Sequence, residues 1–72
     1  MEETWNEKAS NILKSILTRR NVKYYELAIK LKEMGIEETQ GSISNKISRG
    51  TFSFTFFMQC MEALGIKEIK LD

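Results

Sequence analysis

The chain has 72 residues, enough for one domain over residues 1–72 but too few to leave apolar side chains out of its core. Its composition, 42% hydrophobic and 29% charged, is that of a folded protein and excludes a disordered one. The absence of histidine removes His-based acid–base chemistry and His-containing zinc sites, the lone Cys60 excludes an intramolecular disulfide, and the net charge of +1 does not by itself announce a polyanion partner.

In chain order, Thr4 and Glu7 have the spacing of a capping box. Behind them Trp5, Ala9, Ile12, Leu13, Ile16 and Leu17 recur at helical spacing. This predicts an amphipathic helix over about residues 5–19. Arg19, Arg20 and Asn21 close it: cations suit the negative end of the helix dipole, and Asn tolerates a left-handed cap.

A second helix is expected over 24–34, burying Leu27, Ala28, Leu31 and Met34, with Gly35 as its stop. Tyr24 and Tyr25 open it, one ring packing and one hydroxyl free. Ile29 lies off the buried stripe. Ile36 is expected to plug the core from the acidic connection that follows.

Thr39 is the natural cap of a third helix, expected over 39–49 and stopped by Gly50. Ile43 and Ile47 share one face and hold it down. At about 100° per residue the opposite face carries Gly41, Ser42, Asn45, Ser48 and Arg49, flanked by Ser44 and Lys46. The whole stretch from 39 to 61 contains no acid.

Ser53 caps a fourth helix over 53–64, which Gly65 stops. Phe54, Phe57, Met58, Met61 and Leu64 are expected to form its buried face, with Phe56 and Cys60 on a neighbouring one. The tail, 66–72, alternates apolar and charged residues after Lys67, a strand pattern without a partner strand in the chain. It is expected either to fold back on the first helix or to pair with a second copy, with Ile69 and Leu71 facing the core.

The charges are unevenly placed. Residues 14–32 carry Lys14, Arg19, Arg20, Lys23, Lys30 and Lys32 against Glu26 alone, whereas Glu33, Glu37 and Glu38 make 33–38 acidic. If these basic segments share a face, that face has a field that the net charge hides; otherwise they are solvated helix faces with ordinary ion pairs.

A helix, a glycine break, a polar helix and an apolar helix form the layout of a helix-turn-helix domain. Glu26-Leu27-Ala28, Leu31 and Gly35, then Ser42-Ile43 and Ile47-Ser48-Arg49-Gly50, then Leu64-Gly65-Ile66, resemble the λ-repressor/Cro-like DNA-binding domains. Gln40 to Lys46 is similar to the recognition helices of the Cro proteins. The resemblance covers about residues 16–66. The chain also resembles a family of small, functionally uncharacterised bacterial proteins sharing an Asn-Lys-Ile-Ser-Arg-Gly-Thr-Phe centre. Three features depart from the λ-repressor/Cro-like pattern: Lys23-Tyr24 replaces the usual Ser/Thr-Gln, the loop 35–39 is longer and more acidic, and Ile43 and Ile47 stand four apart where three is commoner.

The expected fold is therefore all-α: a four-helix, λ-repressor-like helix-turn-helix domain with a short extended C-terminal tail. The expected partner is double-stranded DNA. Asn45, whose amide can pair bidentately with adenine, is the foremost base reader, with Gln40, Ser42 and Lys46 beside it. Arg20, Lys23, Tyr24, Thr39 and Arg49 are candidate phosphate contacts. Arg49 has an equally weighted alternative, an ion pair with Glu26 or Glu33. A homodimer through helix 53–64 and tail 66–72 would supply two half-sites. The competing reading is a protein-interaction module of the same fold, regulatory or antitoxin-like. No catalysis, cofactor, metal site or small-molecule substrate is expected. No apolar run approaches the about 20 residues of a membrane span, and the opening Met-Glu-Glu-Thr lacks a signal peptide's basic region, so a cytoplasmic protein is expected.

Overall fold

The computed structural model describes residues 3–71. They form four helices, α1 (Trp5–Arg20), α2 (Tyr24–Glu33), α3 (Gln40–Arg49) and α4 (Phe54–Leu64). There is no strand among the described residues. The fold is all-helical and compact, with a Cα radius of gyration of 11.7 Å.

Each helix starts where a side chain can satisfy its free N–H groups. Thr4 and Glu7 form the expected reciprocal box at α1. Thr39 Oγ1 accepts from Ser42 N–H at 3.0 Å, and Ser53 Oγ accepts from Phe56 N–H at 3.0 Å. At α2 the cap runs the other way: Lys23 N–H donates to Glu26 Oε1 at 2.9 Å. Asn21 ends α1 at φ 56°, the left-handed cap its amide tolerates.

The core gathers Leu13, Ile16 and Leu17 of α1, Leu27 and Leu31 of α2, Ile43 and Ile47 of α3, and Phe56, Cys60 and Met61 of α4. α2 packs on both α3 and α4, and α1 packs on α3. Ile36 is partly buried against this core, as expected of a plug, and so is Tyr24. Tyr25 is exposed.

Four expectations are corrected. Trp5 does not begin the buried stripe of α1, since it is 82% exposed, with the Lys8 ammonium 5.4 Å from its ring centre. The buried stripe runs instead through Ser10, Leu13, Ile16 and Leu17, and the first turn is met by Gly50, where an added β-carbon would lie 1.9 Å from the Asn6 carbonyl oxygen. Met34 lies past the end of α2 as its cap and is exposed, not buried.

On α4 the buried residues are Phe56, Cys60 and Met61, while Phe54 and Met58 are exposed. That helix is apolar almost all round, so its periodicity does not select a face. Finally, the described part of the tail forms no strand. Gly65 and Ile66 N–H groups bond back to Glu62 and Met61 carbonyls, turning the chain toward α1. Ile66 and Ile69 then share a cleft with Ile16, Arg19 and Arg20, and Leu71 lies beside Ile12 and Ser15. The fold-back on α1 is found, but Ile69 and Leu71 are exposed and do not face the core.

Candidate nucleic-acid interface

α3 is fixed from behind and open in front. Ile43 and Ile47 are fully buried against α1 and α2. One turn of helix separates them, so the intervening side chains are forced outward. Gln40, Gly41, Asn45, Ser48 and Arg49 are exposed, and Ser42, Ser44 and Lys46 are half-buried.

Ser42, Asn45, Lys46 and Arg49 line one side of a groove whose other wall is Thr51, Phe52, Ser53 and Phe56. Gly50, in the left-handed conformation at φ 68°, turns the chain so that the 51–53 segment returns alongside α3. Phe52 stacks with Phe57 and tilts against Phe56, at ring-centre distances of 6.3 and 6.0 Å, which stiffens that wall.

The electrostatics of the groove depend on one acid from the loop before α3. Glu38 Oε1 accepts from Ser42 Oγ at 2.6 Å, and Glu38 Oε2 pairs with Lys46 Nζ at 2.5 Å. The Lys46 ammonium also stands 4.9 Å from the centre of the Phe56 ring. Burial pushes the Glu38 carboxyl up, but hydrogen bonds from Lys46 and Ser42 and the Lys46 charge outweigh it, leaving Glu38 below its ordinary value. Behind this cluster, the Cys60 thiol is pushed up to about 12, first by burial and then by the Glu38 charge, with Lys46 opposing.

Residues 5–69 match a family described as a domain of unknown function, DUF6471. The chain belongs to this family. No curated protein and no solved structure matches it. The match is to a family without an assigned function, and no helix-turn-helix family is matched.

In this DUF6471 domain the expected contact residues divide into groups. Asn45 and Gln40 stand free on the outward face. Arg49 is exposed and does not take the alternative pairing with Glu26 or Glu33: the ion pair among the described residues is Lys46–Glu38. Ser42 and Lys46, expected as free base readers, are instead held by Glu38. Thr39 uses its hydroxyl to cap α3.

Arg20 lines the tail cleft with Arg19, Glu68 and Lys70. Lys23 and Tyr24 line another with Lys14, Leu17, Thr18 and Val22. These three and the α3 residues thus belong to different clefts. The sequence reading missed Glu38, although its spacing of four to Ser42 and eight to Lys46 was a usable signal for one shared face. It also missed the Thr51–Phe56 wall.

Proposed function

We propose that this domain binds double-stranded DNA as a small transcriptional regulator, with α3 as its reading helix in the major groove. The observation that carries the reading is the outward face of α3: Gln40, Gly41, Asn45, Ser48 and Arg49 are exposed together, free of acids, on a helix anchored by two fully buried isoleucines. A rigid polar helix end with an amide and a guanidinium in reach of base edges suits direct readout.

In this reading Asn45 pairs with adenine and Gln40 reads the neighbouring position. Arg49 takes phosphate or guanine. Arg20, Lys23, Tyr24 and the N–H groups at Thr39 set register on the backbone. Gly41, with nothing within 4 Å of its would-be β-carbon, allows a close approach. The bound form is a homodimer through α4 and the tail, where Phe54, Met58 and Ile69 are exposed. The compartment is the cytoplasm, and no helix among the described residues is long and apolar enough to cross a membrane.

Fluorescence anisotropy with labelled duplexes across a salt series tests this. Binding should weaken as salt rises, with a log–log slope of about −0.9 per phosphate contact. Absent or salt-independent binding would remove the reading. A protein-interaction module of the same fold is the second reading, favoured by the apolar cleft of Phe54, Phe57, Met58, Ile66 and Ile69.

A further inference from the structure

Glu38 is the acid closest to the proposed reading face, and it does not point away into solvent. Its side chain is 11% exposed and spends both carboxylate oxygens on α3 donors, Ser42 Oγ and Lys46 Nζ. A hydroxyl and an ammonium converging on two oxygens of one anion are what a backbone phosphate would require of this helix. We infer that Glu38 acts as an internal phosphate surrogate that sets affinity: it occupies the Ser42–Lys46 clamp and withholds it from DNA backbone.

This role rests on the proposal that α3 reads DNA. Between residues 39 and 61 the only cations are Lys46 and Arg49. Pairing Lys46 with Glu38 leaves Arg49 as the unpaired cation of the groove. Sequence-independent affinity comes from such cations, because each phosphate they neutralise releases counterions. Base discrimination comes from groups such as Asn45 and Gln40, which the latch leaves untouched. The closed latch therefore lowers binding to every sequence while sparing the part that discriminates. Phe56 reinforces it, since its ring faces the Lys46 ammonium and holds it over the groove wall.

The test compares the wild type, Glu38→Gln and the double variant E38Q/K46Q by anisotropy. The probes are a mixed-sequence duplex and the tightest duplex selected from a random pool. Glu38→Gln keeps side-chain size and can still accept from Ser42, but it releases the ammonium. It should bind the mixed duplex about three- to tenfold tighter, the size of one partly exposed charge-assisted contact.

The salt slope should steepen by about 0.9, one phosphate contact. The ratio of selected to mixed affinity should stay the same, because a backbone contact adds equally to both, and E38Q/K46Q should return to the wild-type mixed-duplex affinity. If Glu38→Gln loses the fold, Glu38→Ser removes the same carboxylate and should give the same gain. Three results overturn the inference. Equal, salt-dependent binding by wild type and variant removes the latch and leaves DNA reading intact. A gain that persists in E38Q/K46Q assigns it to net charge and not to Lys46. No binding by any form at low salt removes both the latch and DNA reading.

Discussion

Gly50 lies directly against the backbone of Asn6: a β-carbon on Gly50 would stand 1.9 Å from the Asn6 carbonyl oxygen and 2.7 Å from its carbon. The last residue of the α3 unit is thereby seated on the first turn of α1. The contact is backbone to backbone, so neither side can rotate away. Gly50 also adopts φ 68°, which costs a non-glycine residue about 1–2 kcal/mol by itself. Gly50→Ala should therefore lose more than that conformational cost alone, and thermal unfolding should show a Tm drop of at least about 4–8 °C, the shift expected per kcal/mol in a domain this small. Gly41→Ala is the control. Gly41 is helical with open space around it, so alanine should stabilise by about 0.5–1 kcal/mol, yet weaken DNA binding if this face approaches bases closely.

The Glu38–Lys46 pair predicts an acid limb of stability. The folded carboxyl titrates below its ordinary value of 4.5, so the native state binds the proton more weakly than the unfolded chain does. Its contribution is present above 4.5 and is lost as pH falls through the lower, folded value. Glu7, also lowered through its hydrogen bonds with Thr4, acts in the same direction at the exposed start of α1. Urea unfolding followed from neutral pH downward should show a falling midpoint in the wild type and a flatter one in Glu38→Gln. An unchanged pH dependence in the variant would mean that Glu38 is not the group responsible.

Much of the fold was legible because the signals were local. Caps at Thr4, Thr39 and Ser53, stops at Asn21, Gly50 and Gly65, and the Ile43–Ile47 spacing each state a boundary or a face in a few residues. What was not legible depends on the neighbour. Trp5 has the right spacing to begin the α1 stripe, but Gly50 approaches the backbone of the first turn, and the buried stripe begins only at Ser10. In α4, Phe54, Phe56, Phe57 and Met58 are equally apolar, and only packing against α2 decides that Phe56 is buried and Phe54 is not. On the candidate site, Asn45 and Arg49 stand outward as the wheel places them, and Gln40 is exposed at the start of α3. The fate of Ser42 and Lys46 was set by a loop residue whose reach no helical wheel contains.

Cys60 is fully buried and its thiol is pushed up to about 12, so at neutral pH it is a protonated, apolar core group. Its modification by a thiol reagent should be slow in the native protein and fast in denaturant, with a native rate that tracks global unfolding. Because the folded value lies above the ordinary 9.0, the matching stability is complete below 9 and is lost as pH rises toward 12. Fast native labelling at neutral pH would contradict this packing.

Asn45 and Arg49 should fail in different ways if α3 reads DNA. Asn45→Ala should cost about 1–3 kcal/mol on a preferred duplex and little on a mixed one, flattening discrimination at one position. Arg49→Gln should weaken binding to all duplexes about equally and reduce the salt slope by about one if it contacts phosphate. Paired anisotropy titrations on both duplexes separate these patterns. Equal losses from both variants on both duplexes would argue against a division into base and backbone contacts.

The central claim is that the acid-free outward face of α3 meets DNA. Amide NMR of the labelled protein titrated with duplex DNA at low salt tests it most directly. The largest shifts should fall on Gln40, Gly41, Asn45, Ser48 and Arg49, with smaller ones at Arg20, Lys23 and Tyr24. Shifts confined to α4 and the tail, or no shifts at saturating duplex, would contradict it.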